Sequence, residues 1–110
     1  MMIRNMNVED QKILEQFAAR VRGHYPEASI WAFGSRAHGN AAPDSDLDIC
    51  VVINELDRKA DRLLSDIAWE TGFEADVVIS VVPFSTSEFN SGPLSVSPLV
   101  LVIKQEGVAA

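Results

Sequence analysis

The sequence has little of several features that would place it in other classes of protein. Its single cysteine, Cys50, cannot form an internal disulfide, so the chain lacks the framework of small secreted proteins. No apolar run approaches the ~20 residues that cross a membrane, and residues 1–5 lack the basic-then-apolar pattern of a signal sequence. We therefore expect a cytoplasmic protein with no membrane partner.

Basic residues are also scarce. The 9 Lys and Arg are outnumbered by 16 Asp and Glu, which gives a formal net charge of −7 at pH 7. Nucleic-acid-binding proteins usually carry a basic patch, whereas the basic residues here are scattered, so a nucleic-acid partner is unlikely on charge alone. An acidic surface favours encounter with a basic protein instead.

The length of 110 residues and the hydrophobic fraction of 47% predict one domain, residues 1–110, with a core of its own. The predicted elements are, in chain order, a helix from Asn7 to Gly23, a strand over 28–33, a loop over 34–45, a strand over 46–53, a helix over 56–71 followed by Gly72, a strand over 75–82, a loop over 83–96 and a helix between Ser97 and Gly107.

The last of these segments is rich in β-branched residues and could form a strand. Ser97 as a cap and Pro98 at the first helical position favour a helix. We expect three residues on its core face, Leu99, Val102 and Ile103.

The most informative stretch is 34–48, which begins with a Gly-Ser step and ends with Asp46 and Asp48. Alternate residues of a strand share a face, so these two carboxylates point the same way, about 6–7 Å apart. Two ionised carboxylates at that separation repel by about 3 kcal/mol at an effective dielectric of ~20. A divalent cation between them reverses the sign, and Mg²⁺ prefers carboxylate and phosphate oxygens.

The start of the same stretch offers a place for phosphate. Gly34 lets the backbone approach a ligand closely, and successive N–H groups in such a turn bind anions. Ser35 adds a hydroxyl, Arg36 a possible fork for phosphate oxygens, and Ser45 a possible further contact. These four residues are the predicted nucleotide-binding set.

A third acid, Asp76, lies near the start of the strand predicted over 75–82. If that strand pairs beside 46–53, Asp76 can converge on the same metals as Asp46 and Asp48. Two metals could then clamp the attacking and leaving oxygens of a displacement, and Asp76 could help take the proton of the nucleophile.

Each of these features has a simpler interpretation. A Gly-Ser step after a strand is commonly only a turn, and aspartates at a strand start are often solvated surface acids. Arg36 could be a salt-bridged loop residue, and Ser45 could form only a turn hydrogen bond. The spacing of the two motifs, with Asp76 behind them, favours the site.

Gly34-Ser35 followed after ten residues by Asp46-Leu47-Asp48 resembles the signature of the polymerase-β-type nucleotidyltransferases. The likeness is closest to the minimal nucleotidyltransferases, antitoxins that are paired with HEPN-domain ribonuclease toxins. It implies an α+β fold, with a small mixed β-sheet of three to four strands flanked by helices. It also implies that Asp46, Asp48 and Asp76 hold two Mg²⁺ ions and that Gly34 and Ser35 bind the triphosphate of ATP.

The resemblance further implies transfer of AMP to a hydroxyl, typically a tyrosine, of a HEPN-type toxin. Two alternatives stay open. The chain could neutralise its toxin by binding alone, with a weak or vestigial site, or it could act as a nucleotidyltransferase on a small molecule. One departure is His38, which stands where many relatives carry a second basic residue.

Overall fold

The computed structural model describes residues 6–39, 42 and 44–110, so the segment 1–5, on which the signal-sequence expectation rests, lies outside the described residues. The helices and strands in chain order are α1 (Val8–Arg22), β1 (Ser29–Phe33), β2 (Leu47–Ile53), α2 (Arg58–Ala75), β3 (Ile79–Ser85), α3 (Thr86–Asn90), α4 (Pro98–Glu106) and β4 (Val108–Ala109). Two short 3₁₀ helices, Ser35–His38 and Pro93–Val96, complete the set.

The strands form one mixed sheet in the order β3-β2-β1-β4. β1 pairs antiparallel with β2 and β4, whereas β2 and β3 are parallel. A parallel pair needs a crossover connection, which α2 supplies. The predicted α+β fold with a small mixed sheet is therefore confirmed, and the short strand after α4 is present.

Helices cover both faces of the sheet and divide the core in two. On the α1/α2 face, Phe17 of α1 and Leu64 of α2 pack against strand residues such as Ile49 and Val51. On the α3/α4 face, a second set of buried residues meets, namely Phe33, Cys50, Val52, Phe84, Phe89, Val100 and Ile103. The alternation of β2 thus sends Asp48, Cys50 and Val52 to the α3/α4 face.

The N-terminal caps of two helices follow the sequence prediction. Asn7 accepts a hydrogen bond from the Glu9 amide at the start of α1, and Ser97 accepts from the Val100 amide at the start of α4. The tail is a helix, but its predicted core face was wrong in part. Ile103 is buried, whereas Leu99 and Val102 are 39% and 40% exposed, and Val100 is buried instead.

The prediction was wrong about the end of α2 and the start of β3. The helix does not stop at Gly72 but continues to Ala75, and Gly72 packs against the backbone that follows the helix. A Cβ atom at Gly72 would lie 2.4 Å from the Val77 carbonyl oxygen. Asp76 then ends α2 in a left-handed conformation (φ 58°), which Asp tolerates better than most residues.

β3 consequently begins at Ile79 rather than 75, so the prediction that Asp76 lies in this strand was wrong. The strand also runs on through Pro83 to Ser85, where the sequence predicted a loop. Proline is tolerated here because β3 is at the edge of the sheet and its missing N–H costs no ladder bond on the open side.

Within the described residues, none of the helices combines the length and apolar character that crossing a membrane requires.

The close packing at Gly72 gives a stability prediction. Replacing a glycine inside a helix by alanine normally stabilises by about 1 kcal/mol. Here we expect Gly72→Ala to lower the free energy of unfolding by about 1–3 kcal/mol, since the added methyl meets a backbone oxygen. Gly92→Ala is the matched control, because its nearest contacts would be at 3.8 and 3.9 Å. Urea unfolding measures both, and a stabilised Gly72→Ala protein would contradict the account.

Candidate active site

The two spaced aspartates lie at the N-terminal end of β2, an inner strand of the sheet. Asp48 is the second residue of β2 and pairs across the sheet with Phe33 of β1 and Ser80 of β3. Asp46 precedes the strand by one residue and is exposed. Its charge reaches Asp48, since it helps to raise the pKa of that carboxyl. The structure therefore brings these two predicted site residues together.

Gly34 connects this pair to the loop that follows β1. It has φ 79° and ψ −163°, outside the range that other residues adopt readily, and it precedes the 3₁₀ helix at Ser35–His38. A Cβ atom there would lie 2.6 Å from Asp48 Oδ2. Only glycine lets the Asp48 carboxylate lie this close to the loop backbone, and the exposed Ser35 follows it in the chain.

The electrostatics of the pair follow from its position. Burial of the Asp48 carboxyl raises its pKa above the ordinary value of 3.8, and the neighbouring Asp46 charge raises it further. Asp48 is half-buried and Asp46 is exposed, so solvent screens much of their repulsion. The repulsion in the folded chain is therefore smaller than the sequence estimate.

Arg36 is a salt-bridged loop residue, as its simpler interpretation had it. Its Nε donates to the Ser45 carbonyl oxygen at 2.7 Å, and its Nη1 pairs with Asp10 Oδ1 at 2.8 Å. The two charged side chains are only 13% and 10% exposed. The guanidinium thus joins the start of the loop to its end and to helix α1. The predicted phosphate contacts of Arg36 and Ser45 stay predictions.

Sequence reasoning missed Asp10, which lies in the first turn of α1 and pairs with the Arg36 guanidinium. Its partner Arg36 is 26 residues away, and no local pattern marks such a pair.

Asp76 is separated from the other two acids. It ends α2, which packs on the α1/α2 face, whereas Asp48 lies on the α3/α4 face. Asp76 instead lines a groove of about 760 Å³ beside α2 and β3, together with Asp44, Ser45, Trp69, Phe73 and Val78. Neither Asp46 nor Asp48 lines that groove.

Across 6–39, 42 and 44–110, no three acids, histidines or cysteines are placed to hold a metal ion together. The Asp46–Asp48 pair lies beside Gly34, whereas Asp76 ends α2 instead of lying in β3. The prediction that three acids hold two Mg²⁺ ions stays a prediction.

Other predicted residues have structural roles. Cys50 is fully buried, and burial raises the pKa of its thiol to about 12, so it is an inert core thiol as expected. His38 Nε2 lies 3.2 Å from Glu106 Oε1 on the surface. Trp69 is 67% exposed and stacks on Phe73, with ring centroids 5.1 Å apart.

Comparison with known proteins identifies the family and the fold. The sequence model described as "Nucleotidyltransferase domain" matches residues 12–107, and the chain belongs to this family. No match was found among curated proteins.

Among solved structures, the chain is similar to one from the toxin–antitoxin pair MntA–HpeT, in a variant that carries glutamate at two aspartate positions two residues apart. The TM-score is 0.58 and the identity 21%, and the match covers 91% of this chain and 70% of that one. At this identity the likeness establishes the nucleotidyltransferase fold.

The Arg36 contacts lead to a stability prediction. We expect Asp10→Ala to lower the free energy of unfolding by about 3 kcal/mol, because a largely buried guanidinium loses the carboxylate 2.8 Å away. Glu9→Ala is the matched control. Its ion pair with Lys12 is exposed and 3.9 Å long, so the loss should stay below about 0.5 kcal/mol. Equal losses in the free energy of unfolding, measured with urea, would show that the buried pair stabilises the fold no more than the exposed one.

The raised pKa of Asp48 predicts a pH-dependent stability. A carboxyl whose pKa is higher in the folded chain destabilises the fold when it is ionised, and this cost disappears as the pH falls through the raised pKa towards 3.8. In metal-free buffer at pH 7, Asp48→Asn should therefore raise the free energy of unfolding by up to about 1 kcal/mol, with solvent screening included.

The gain from Asp48→Asn should shrink to nothing near pH 3.8. Urea unfolding across this pH range measures it. Asp66→Asn, on an exposed part of α2, is the matched control and should change stability by less than about 0.5 kcal/mol. A less stable Asp48→Asn protein at pH 7 would mean that the carboxylate has stabilising partners.

Proposed function

We propose that this chain is a metal-dependent nucleotidyltransferase that acts as an antitoxin, by transferring AMP from ATP to a hydroxyl of a HEPN-type partner toxin. The observation that carries the proposal is the meeting of Asp46 and Asp48 with the Gly34 turn. Two carboxylates beside the backbone of Gly34 make a site for a divalent cation and the phosphates bound to it.

In this proposal Asp46 and Asp48 hold Mg²⁺, and the Gly34-Ser35 turn binds the triphosphate through its N–H groups and the Ser35 hydroxyl. The bound Mg²⁺ would neutralise phosphate charge and make the α-phosphorus more electrophilic. Asp10 and Arg36 fix the loop so that the turn faces the carboxylates. The partner's hydroxyl oxygen attacks the α-phosphorus, the bond to the β-phosphate breaks, pyrophosphate leaves, and the hydroxyl proton passes to water.

Two observations support a protein partner. The fold resembles that of a chain from a toxin–antitoxin pair. The formal net charge of −7 favours encounter with a basic protein, such as a ribonuclease. The free, buried Cys50 is compatible with action in a reducing cytoplasm.

One observation favours the second candidate function, neutralisation by binding alone. The described residues bring two acids together rather than three. A site with fewer acidic ligands would be expected to retain nucleotide more readily than to transfer it, and the chain would then inhibit its partner through contact.

The deciding experiment incubates the chain with the protein encoded beside it, ATP and Mg²⁺, and follows the partner's intact mass and its ribonuclease activity. We expect the partner to gain one or more AMP units and to lose activity. Asp46→Asn should abolish the gain in mass, because the cation loses one of its two carboxylates. Asp66→Asn, far along the exposed side of α2, is the control and should leave it unchanged.

Full inhibition of the partner without any gain in mass would contradict transfer and support the binding function. An unmodified, uninhibited partner would contradict both. Transfer to free nucleosides or other small molecules in its place would identify a small-molecule nucleotidyltransferase.

A further inference from the structure

The residue that flanks Asp48 on the β3 side is a serine. The parallel register pairs Asp48 with Ser80, and on the other side Asp48 pairs with Phe33. Residues paired across neighbouring strands send their side chains to the same face, about 4.8 Å apart. The half-buried Ser80 therefore stands beside the Asp48 carboxylate on the α3/α4 face.

The neighbours of Ser80 along β3 confirm which face it occupies. Val82 and Phe84 are the alternate residues after Ser80 and point to the same face, where they pack with Cys50 and Val52 in the core beneath α3 and α4. The residues on each side of Ser80, Ile79 and Val81, point the other way and pack in the core of the α1/α2 face. Position 80 is therefore the β3 position from which a third carboxylate would reach the Asp46–Asp48 pair.

Asp76 does not fill that role. It lies three residues before the first residue of β3, at the end of a helix that belongs to the other face. Its side chain borders the groove beside α2, which Asp46 and Asp48 do not line. The described residues bring no third acid to this pair.

We infer that the site has two carboxylates and one hydroxyl, with Ser80 in the position of a third ligand, and that it takes one divalent cation per nucleotide rather than two. The inference rests on the proposed function, since it concerns the nucleotide site defined there. Its chemical basis is ligand charge. A neutral hydroxyl cannot replace the carboxylate with which proteins usually hold a second hard cation beside phosphate.

The test measures bound Mn²⁺ and bound nucleotide by equilibrium dialysis, with α,β-methylene-ATP as a nucleotide whose α–β link is not cleaved. We expect the wild-type chain to retain one Mn²⁺ per nucleotide. Asp76→Asn should leave this ratio unchanged. Ser80→Asp should double it, because the added carboxylate lies beside Asp48 on the same face.

Ser29→Asp is the matched control for added charge. Ser29 is exposed and pairs with Val52, four residues along β2 from Asp48. The Ser29→Asp protein should therefore bind the same number of Mn²⁺ ions per nucleotide as the wild type. Thermal melting in metal-free buffer shows whether each variant folds. If Ser80→Asp does not fold, the wild-type and Asp76→Asn ratios still decide the number of ions.

The outcomes separate this inference from the proposed function. Two Mn²⁺ per nucleotide in the wild type, reduced to one by Asp76→Asn, would overturn the inference and leave the proposed function standing. A folded Ser80→Asp protein that still retains one Mn²⁺ would overturn the role of position 80. Uptake of neither Mn²⁺ nor nucleotide by the wild type would overturn the proposed function and the inference together.

Discussion

The loop beside the site depends on one largely buried ion pair, between Asp10 in α1 and Arg36 in the loop after β1. The same guanidinium donates to the Ser45 carbonyl oxygen, so it holds the two ends of the loop together and ties both to helix α1. The antiparallel pairing of Phe33 with Asp48 brings Gly34 beside the Asp48 carboxylate, and the Arg36 contacts hold the loop between them.

The two faces of the sheet differ in composition at the end where β2 begins. The α1/α2 face is built from apolar residues, including Phe17 of α1, and contributes stability. The α3/α4 face is equally apolar under its helices, but at the start of β2 it carries Asp48 beside Ser80 and Phe33. Strand alternation lets β2 contribute to both faces, because every second side chain points to the other face.

The sequence was most informative where the physical signal is local. Caps at Asn7 and Ser97, the strands on both sides of the loop and the meeting of Gly34 with the Asp46–Asp48 pair all depend on residues close together in the chain. The errors have non-local causes. Gly72 lies inside a helix and packs against the Val77 backbone, and Pro83 did not end a strand because β3 lies at a sheet edge.

The sequence by itself determined the α+β fold, the Gly34 turn and the two-carboxylate motif, because strand alternation and a glycine turn fix how neighbouring residues face one another. Only the tertiary structure decided which residue stands beside Asp48 and which residue holds Arg36. Both depend on the register between strands and on packing between elements far apart in the chain. Because α2 ends four residues later than predicted, Asp76 does not lie in β3, and Ser80 is the β3 residue that pairs with Asp48.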